Sequence, residues 1–291
     1  MHLSEENIEK AATYFRGLPE PIQERILKSI VKLSGRGFTG SGVLLTATDT
    51  YALIATARHN VYIAAGYTEF MSGKEHPPVW GSVDCENMLQ WFFSNVTIEY
   101  DGSSKQANIT GQRGLKGVAQ AWTYDLYMIF SEDENLIAYA KENGMLCSKE
   151  YRQEHKNFYT LGGIYNIKDY DCIQFGFGQI RSDSVESGGP LQFKLAEFVD
   201  KKYEVYEVQQ NDTQSSITVY EDVLLFVAGN DNTTSKGDSG GPVFAVTKRD
   251  KPPKVYLLGV TLGADYLTYD IYSGEDTIDN AVTSIQKMMT S

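Results

Sequence analysis

Hydrophobic positions change their spacing once along the chain. In the first thirty residues Ile8, Ala11, Ala12 and Phe15 recur at the helical period, with Ser4 placed to cap and Glu5 and Glu6 suited to the first turn. Gly17 and Pro19 signal a stop, and a second short helix is predicted over about residues 20–28, with Ile22 and Ile26 on its buried side. After Ser29 the runs shorten. Apolar stretches alternate with Gly, Asn, Asp and Thr turns, which predicts strands at 30–34, 42–46, 51–56, 126–130, 172–177, 203–208, 223–228, 243–246 and 256–261. Many short strands with turn punctuation predict a β-sandwich or barrel. Ile278, Val282, Ile285 and Met288 predict an amphipathic helix over about residues 277–290.

At 291 residues the chain is long enough for one large domain or two small packed lobes. Lys plus Arg number 26 against 38 Asp plus Glu, a net charge of −12 with His neutral. That balance argues against a nucleic-acid partner, which needs clustered positive charge, and against an anionic membrane surface. No apolar run is long enough to span a bilayer, and the opening Met1-His2-Leu3-Ser4-Glu5-Glu6 has no secretion signal. Cys85, Cys147 and Cys172 are an odd number without Cys-x-x-Cys spacing, so neither a disulfide framework nor a zinc site is expected. The expectation is a soluble, cytoplasmic protein working without metal or cofactor; no phosphate loop or dinucleotide fingerprint occurs.

The candidate chemistry starts at Gly237-Asp238-Ser239-Gly240-Gly241-Pro242. A serine flanked by glycines fits a tight turn on which the N–H groups of Gly237 and Ser239 point at one spot, as acyl transfer requires for its developing oxyanion. A Gly-rich turn by itself only joins strands, and Ser187-Gly188-Gly189-Pro190, lacking the Gly-Asp, reads as such a loop. A nucleophilic serine needs a base, and the chain has four histidines. His2 is terminal, His76 lies in a polar turn, and His155 sits among Arg152, Glu154 and Lys156 on what reads as a solvated face. His59 follows an apolar strand and arrives at its end. A lone histidine there is more often structural, so its case rests on its company. Asp125 opens an apolar run where an unpaired charge is costly to bury; it is the candidate that orients the imidazole, or else a strand-edge aspartate.

Chain order separates two hydrolase architectures. Gly237-x-Ser239-x-Gly241 also fits the nucleophile elbow of α/β-hydrolases, but there the histidine follows the serine, and here no histidine follows position 155. The order His59, Asp125, Ser239 is that of chymotrypsin-like proteases. At these residues the chain resembles the trypsin/chymotrypsin family, over roughly residues 30–291. Phe38-Thr39-Gly40-Ser41-Gly42, Thr56-Ala57-Arg58-His59, Asp125-Leu126-Tyr127-Met128-Ile129, Cys172-Ile173-Gln174-Phe175-Gly176-Phe177-Gly178 and Phe226-Val227-Ala228-Gly229 carry the resemblance beside the serine loop, in the right order. It implies an all-β protein of two antiparallel six-stranded barrels, at about 30–165 and 170–275, with a helical extension at 1–29 and the C-terminal helix at about 277–290.

The same resemblance implies a serine endopeptidase acting on protein or peptide. His59 would be general base, Asp125 its orienting carboxylate, Ser239 the nucleophile, and Gly237 and Ser239 the oxyanion donors. Thr233 would floor the substrate pocket, Thr261 and Gly263 would belong to the substrate-strand segment beside it, Asp231 could shift into the pocket and Asp265 could line its rim; a neutral floor favours uncharged P1 residues. The alternative is a catalytically silent, protease-like binding module.

The chain departs from the family where disulfides are usual. Thr39 and Asn60 stand at one pair of positions, Ala245 stands where Cys172 would find its partner, and Val227 and Ser235 replace other cysteines. Such absences fit a reducing compartment, and the sequons at Asn95, Asn108, Asn211 and Asn232 are read as chance. Extra length between His59 and Asp125, at about 72–117, holds Trp80, Trp91, Phe92 and Phe93, read as core or loop packing, with a substrate-contacting insertion as the lesser alternative.

In the family, the aspartate before the serine pairs with an amine freed by cleavage. Here Ile30-Val31 is followed by Lys32-Leu33 instead of glycines. Residue 30 also lies eight residues before Phe38, a reach of roughly 26 Å. If 30–34 is a barrel strand, Asp238 needs an internal Lys or Arg, backbone donors, or a partner. The N-terminal helices then either control activity or recruit a regulatory partner, or simply cover a barrel edge.

Overall fold

A computed structural model describes residues 5–65, 83–111, 126–160, 163–178, 189–209, 216–227, 237–264 and 270–273. The chain opens with helices α1 (Glu5–Arg16) and α2 (Glu20–Ser29), as its periodicity predicts. The Gly17 N–H closes α1 on the Thr13 carbonyl at 3.1 Å. Pro21 sits in the first turn of α2, where a missing N–H costs nothing.

Strands β1 (Ile30–Gly35), β2 (Phe38–Ala47) and β3 (Ala52–Ala57) follow, then helices α3 (His59–Ala64) and α4 (Val83–Asn95). The first sheet is completed by β4 (Val96–Tyr100), β5 (Lys105–Asn108) and β6 (Leu126–Ser131), in the order β5-β4-β1-β2-β3-β6. Its two edges meet just past β5, where Gly111 and Phe130 form an isolated bridge. Helices α5 (Glu134–Asn143) and α6 (Lys149–Thr160) and a 3-10 segment, Gly163–Asp169, lead to the second sheet. There β7 (Tyr170–Gly176), β8 (Gln192–Gln209), β9 (Ser216–Val227), β10 (Pro242–Thr247), β11 (Val255–Ala264) and β12 (Asp270–Ser273) close into a barrel, and every pairing in both sheets is antiparallel. Among the described residues the fold is the expected one, two six-stranded antiparallel units, with the second closed and the edges of the first joined by the Gly111–Phe130 bridge. The C-terminal helix predicted at about 277–290 lies outside the described residues.

Unbroken apolar runs in β2 and β3 have a simple cause. Val43, Leu45, Leu53, Ala55 and Ala57 face a core shared with the second barrel and the N-terminal helices, while Leu44, Ala47, Ala52 and Ile54 face the interior of the first. Both faces of these strands are dry, so their sequence does not alternate. Among the described residues three strands escape the sequence reading. β4 and β5 form a hairpin with Lys105, Gln106 and Asn108 on its second arm, too polar to read as a strand, and β12 is only four residues long. Helix α4 carries Trp91, Phe92 and Phe93 of the long insertion. Phe92 is wholly buried in the first core with Trp91 and Phe93 against it, as the packing reading expects, and Trp80 lies outside the described residues.

Ala245 stands directly opposite Cys172 on β10 and β7, so the position facing this thiol holds no second cysteine. Burial first, and then the charge of Asp171, push the Cys172 thiol up to about 12. It is a thiol packed in the core, 3% exposed.

Candidate active site

Residues 237–241 lead into β10 and rest on the first sheet. The Ser41 N–H of β2 donates to the Ser239 carbonyl at 2.9 Å. The Ser41 hydroxyl donates to the Gly237 carbonyl at 2.6 Å and accepts from the Phe177 N–H at 2.9 Å. One wholly buried serine thus joins β2 to the serine loop and to the end of β7. Gly240 has φ of +81°, and a Cβ there would overlap Thr56 Oγ1 and the Ser41 carbonyl, so the close approach of the two halves requires glycine.

His59 begins α3 at the end of β3 and is 3% exposed. Its neighbour Asn60 donates through Nδ2 to the Ser239 carbonyl at 2.8 Å and to Thr56 Oγ1 at 2.9 Å. Asn60 therefore ties the backbone of Ser239 to the start of α3, directly beside His59. Sequence reasoning noted Asn60 only as a missing disulfide partner; an amide directly after the histidine was the available signal. Asp125 lies outside the described residues. The strand that follows it is in register with the histidine strand, Leu126 opposite Ala57.

The other face of the loop is latched to β11. The Gly240 N–H donates to the Thr261 carbonyl at 2.7 Å, and the Thr261 N–H donates to the Gly241 carbonyl at 2.8 Å. The Thr261 hydroxyl donates to the same Gly241 carbonyl and accepts from Gln174 Nε2, both at 3.1 Å. Every polar group of Thr261 is thus engaged inside the fold. Gly263 lies farther along β11, opposite Ile271, and Thr233, Asp231 and Asp265 lie outside the described residues.

Between the two glycine-flanked peptide groups sits Asp238, 1% exposed. Its Oδ2 is 3.0 Å from Lys194 Nζ, and its Oδ1 accepts from the Gly178 N–H at 2.8 Å. Lys194, on β8, is itself 3% exposed. Gly237 has φ of +105°, and among the described residues no carbonyl takes the N–H of Gly237 or of Ser239. Those two donors are the ones an oxyanion would need. Among the described residues no group of three or more His, Cys, Asp or Glu side chains gathers to hold a metal, and no helix is long and apolar enough to cross a membrane.

His155 corrects the sequence reading. It is wholly buried on α6, and its Nε2 accepts from the Leu257 N–H at 2.7 Å. Its ring lies 4.3 Å from that of Tyr151 and 5.6 Å from that of Tyr256. The flanking charges made it look solvated, but one helical face carries Tyr151, His155 and Phe158 inward. Burial, and then the nearby Arg25 charge, lower its pKa from 6.5 to about 3. The fold therefore holds it neutral, while the unfolded chain protonates it below about 6.5. Between those values the unfolded state binds more protons, so this contribution is complete above pH 6.5 and is lost as pH falls towards 3. Urea midpoints at pH 7 and pH 5 should differ by roughly 2 kcal/mol of stability from this residue, and the difference should flatten in His155→Gln.

No family model matches the chain, and no curated protein matches it. Solved structures to which it is similar include Rv3671c from M. tuberculosis H37Rv in two inactive forms. The serine-to-alanine mutant has TM-score 0.47, with 93% of this chain and 92% of that one covered. The Rv3671c protease has TM-score 0.45, covering 92% and 98%. Neuropsin, a serine protease of mouse brain, has TM-score 0.46, covering 91% and 96%. Identity is 15% in each case.

Proposed function

We propose that this chain is a serine endopeptidase. His59 takes the proton of Ser239 as the hydroxyl attacks a peptide carbonyl, and returns it to the leaving amine. Asp125 holds the imidazole in the tautomer that accepts that proton, and the N–H groups of Gly237 and Ser239 receive the charge that develops on the carbonyl oxygen. The single observation that carries this reading is the docking of the serine loop on the first sheet through Ser41 and Asn60. It brings the Ser239 backbone to the chain neighbour of His59. A partner is a protein or peptide substrate with an uncharged P1 residue set against Thr233. The unbridged thiols of Cys147 and Cys172 support work in a reducing compartment.

A fluorophosphonate probe tests the reading, with the labelled residue mapped by mass. Labelling confined to Ser239 is expected, together with cleavage of a peptide library after uncharged residues. Failure of the folded protein to label under any condition would leave a protease-like binding module instead.

A further inference from the structure

We infer that Lys194 is a positioning residue that sets the oxyanion-binding turn as the chain folds, without any cut in the chain; the inference rests on the protease reading above. Asp238 lies between the two peptide N–H groups assigned to the oxyanion, so the place of its carboxylate governs how both peptide planes point. A carboxylate this deeply buried needs partners for both oxygens. Lys194 Nζ supplies one at 3.0 Å and the Gly178 N–H the other at 2.8 Å.

Both partners are fixed by strand pairing. Lys194 is opposite Gln174 in the β7–β8 register, and Gly178 follows the end of β7. Gly178 is held in turn by Gln192 Nε2, which donates to its carbonyl at 2.7 Å. The backbone of β7 comes so close that a Cβ on Gly176 would stand 2.8 Å from the Asp238 Cα. Strand β8 is pressed into place from its other face, where Phe193 meets Phe15 of α1 at 5.3 Å between ring centres. The cation that orders the turn thus arrives with the second barrel itself.

The segment that resembles a cleavage site cannot supply that cation. Ile30–Gly35 is β1, paired with β2 from Ile30 opposite Val43 and with β4 from Lys32 opposite Glu99. Freeing an amine at Ile30 and moving it to Asp238 would tear a central strand out of the first sheet.

The test follows fluorophosphonate labelling of Ser239 on the full chain, with its intact mass checked before and after reaction. Labelling of the uncut chain is expected. In Lys194→Met the maximal labelling rate should fall by about 100-fold, the loss that follows a misplaced oxyanion donor, with the half-saturating probe concentration little changed. Lys194→Arg should recover part of the rate, which a purely structural role would not produce. Because Lys194→Met strands a buried carboxylate, a second variant combines it with Asp238→Asn. That protein should fold, melt near the parent temperature, and still label at least about tenfold slower. Parent-like labelling of either folded methionine variant overturns the inference. Labelling that appears only after the chain is cut also overturns it and leaves the protease reading standing. Absence of labelling in folded protein, cut and uncut, overturns the protease reading and the inference together.

Discussion

Replacing His59 with alanine is expected to lower the hydrolysis of a peptide or activated ester by roughly a millionfold while the protein stays folded. A serine hydroxyl at neutral pH is a poor nucleophile, and only an adjacent base makes it attack. Of the two histidines among the described residues, His59 directly precedes Asn60, which bonds the serine loop, whereas His155 is buried and accepts from the Leu257 N–H. The bonds that dock the loop belong to Ser41, Thr56 and Asn60, so they survive loss of the imidazole. Ser239→Ala should cost about as much, and the double variant little more, because base and nucleophile act as one unit. Steady-state turnover and thermal melting check both points. A loss of less than about tenfold would remove His59 as the base.

The second large effect concerns stability. Phe15→Ala is expected to cost about 3–5 kcal/mol, lowering the melting midpoint by about 10 °C. Phe15 is 4% exposed, and its ring lies 5.4 Å from that of Phe175 and 5.3 Å from that of Phe193, on the second barrel. Phe175 in turn packs on Phe244 at 5.8 Å, so the cavity would open into the main core. Helix α2 is tied down as well. Ile26 is wholly buried, Arg25 lies 3.7 Å above the Tyr151 ring, and its Nη2 donates to the Met145 carbonyl at 3.2 Å. Removing residues 1–29 should therefore expose core surface and abolish cooperative melting. Were the helices a detachable control element, Phe15→Ala would leave the midpoint unchanged and raise Ser239 labelling. Calorimetry and probe labelling on the same sample separate the two.

From sequence alone come the two N-terminal helices, nine of the described strands and the glycine-rich serine turn, with His59 as a candidate at the end of a strand. Each is written in residues close together in the chain: helical spacing, short apolar runs between turns, and a hexapeptide in which glycine is required by the backbone at Gly237 and Gly240. Local chemistry leaves local signatures. What holds the site together is not local. Ser41 reaches Gly237 across 196 residues, Asn60 reaches Ser239 across 179, and Lys194 reaches Asp238 across 44. None of these pairings has a spacing that a reader of the chain could test.

Burial was decided by tertiary structure for a related reason. Alternation along β8 sets Phe193 and Leu195 apart from Gln192 and Lys194, and taken alone it would send the lysine to water. Helix α1 instead covers the phenylalanine face, and the barrel draws Lys194 inward to Asp238, so both faces of the strand are enclosed. His155 follows the same rule, since its charged neighbours one residue away occupy a different face of the helix. The chain dictates which residues can do chemistry; only packing decides which face of each element is dry, because that depends on what arrives from elsewhere in the sequence to cover it.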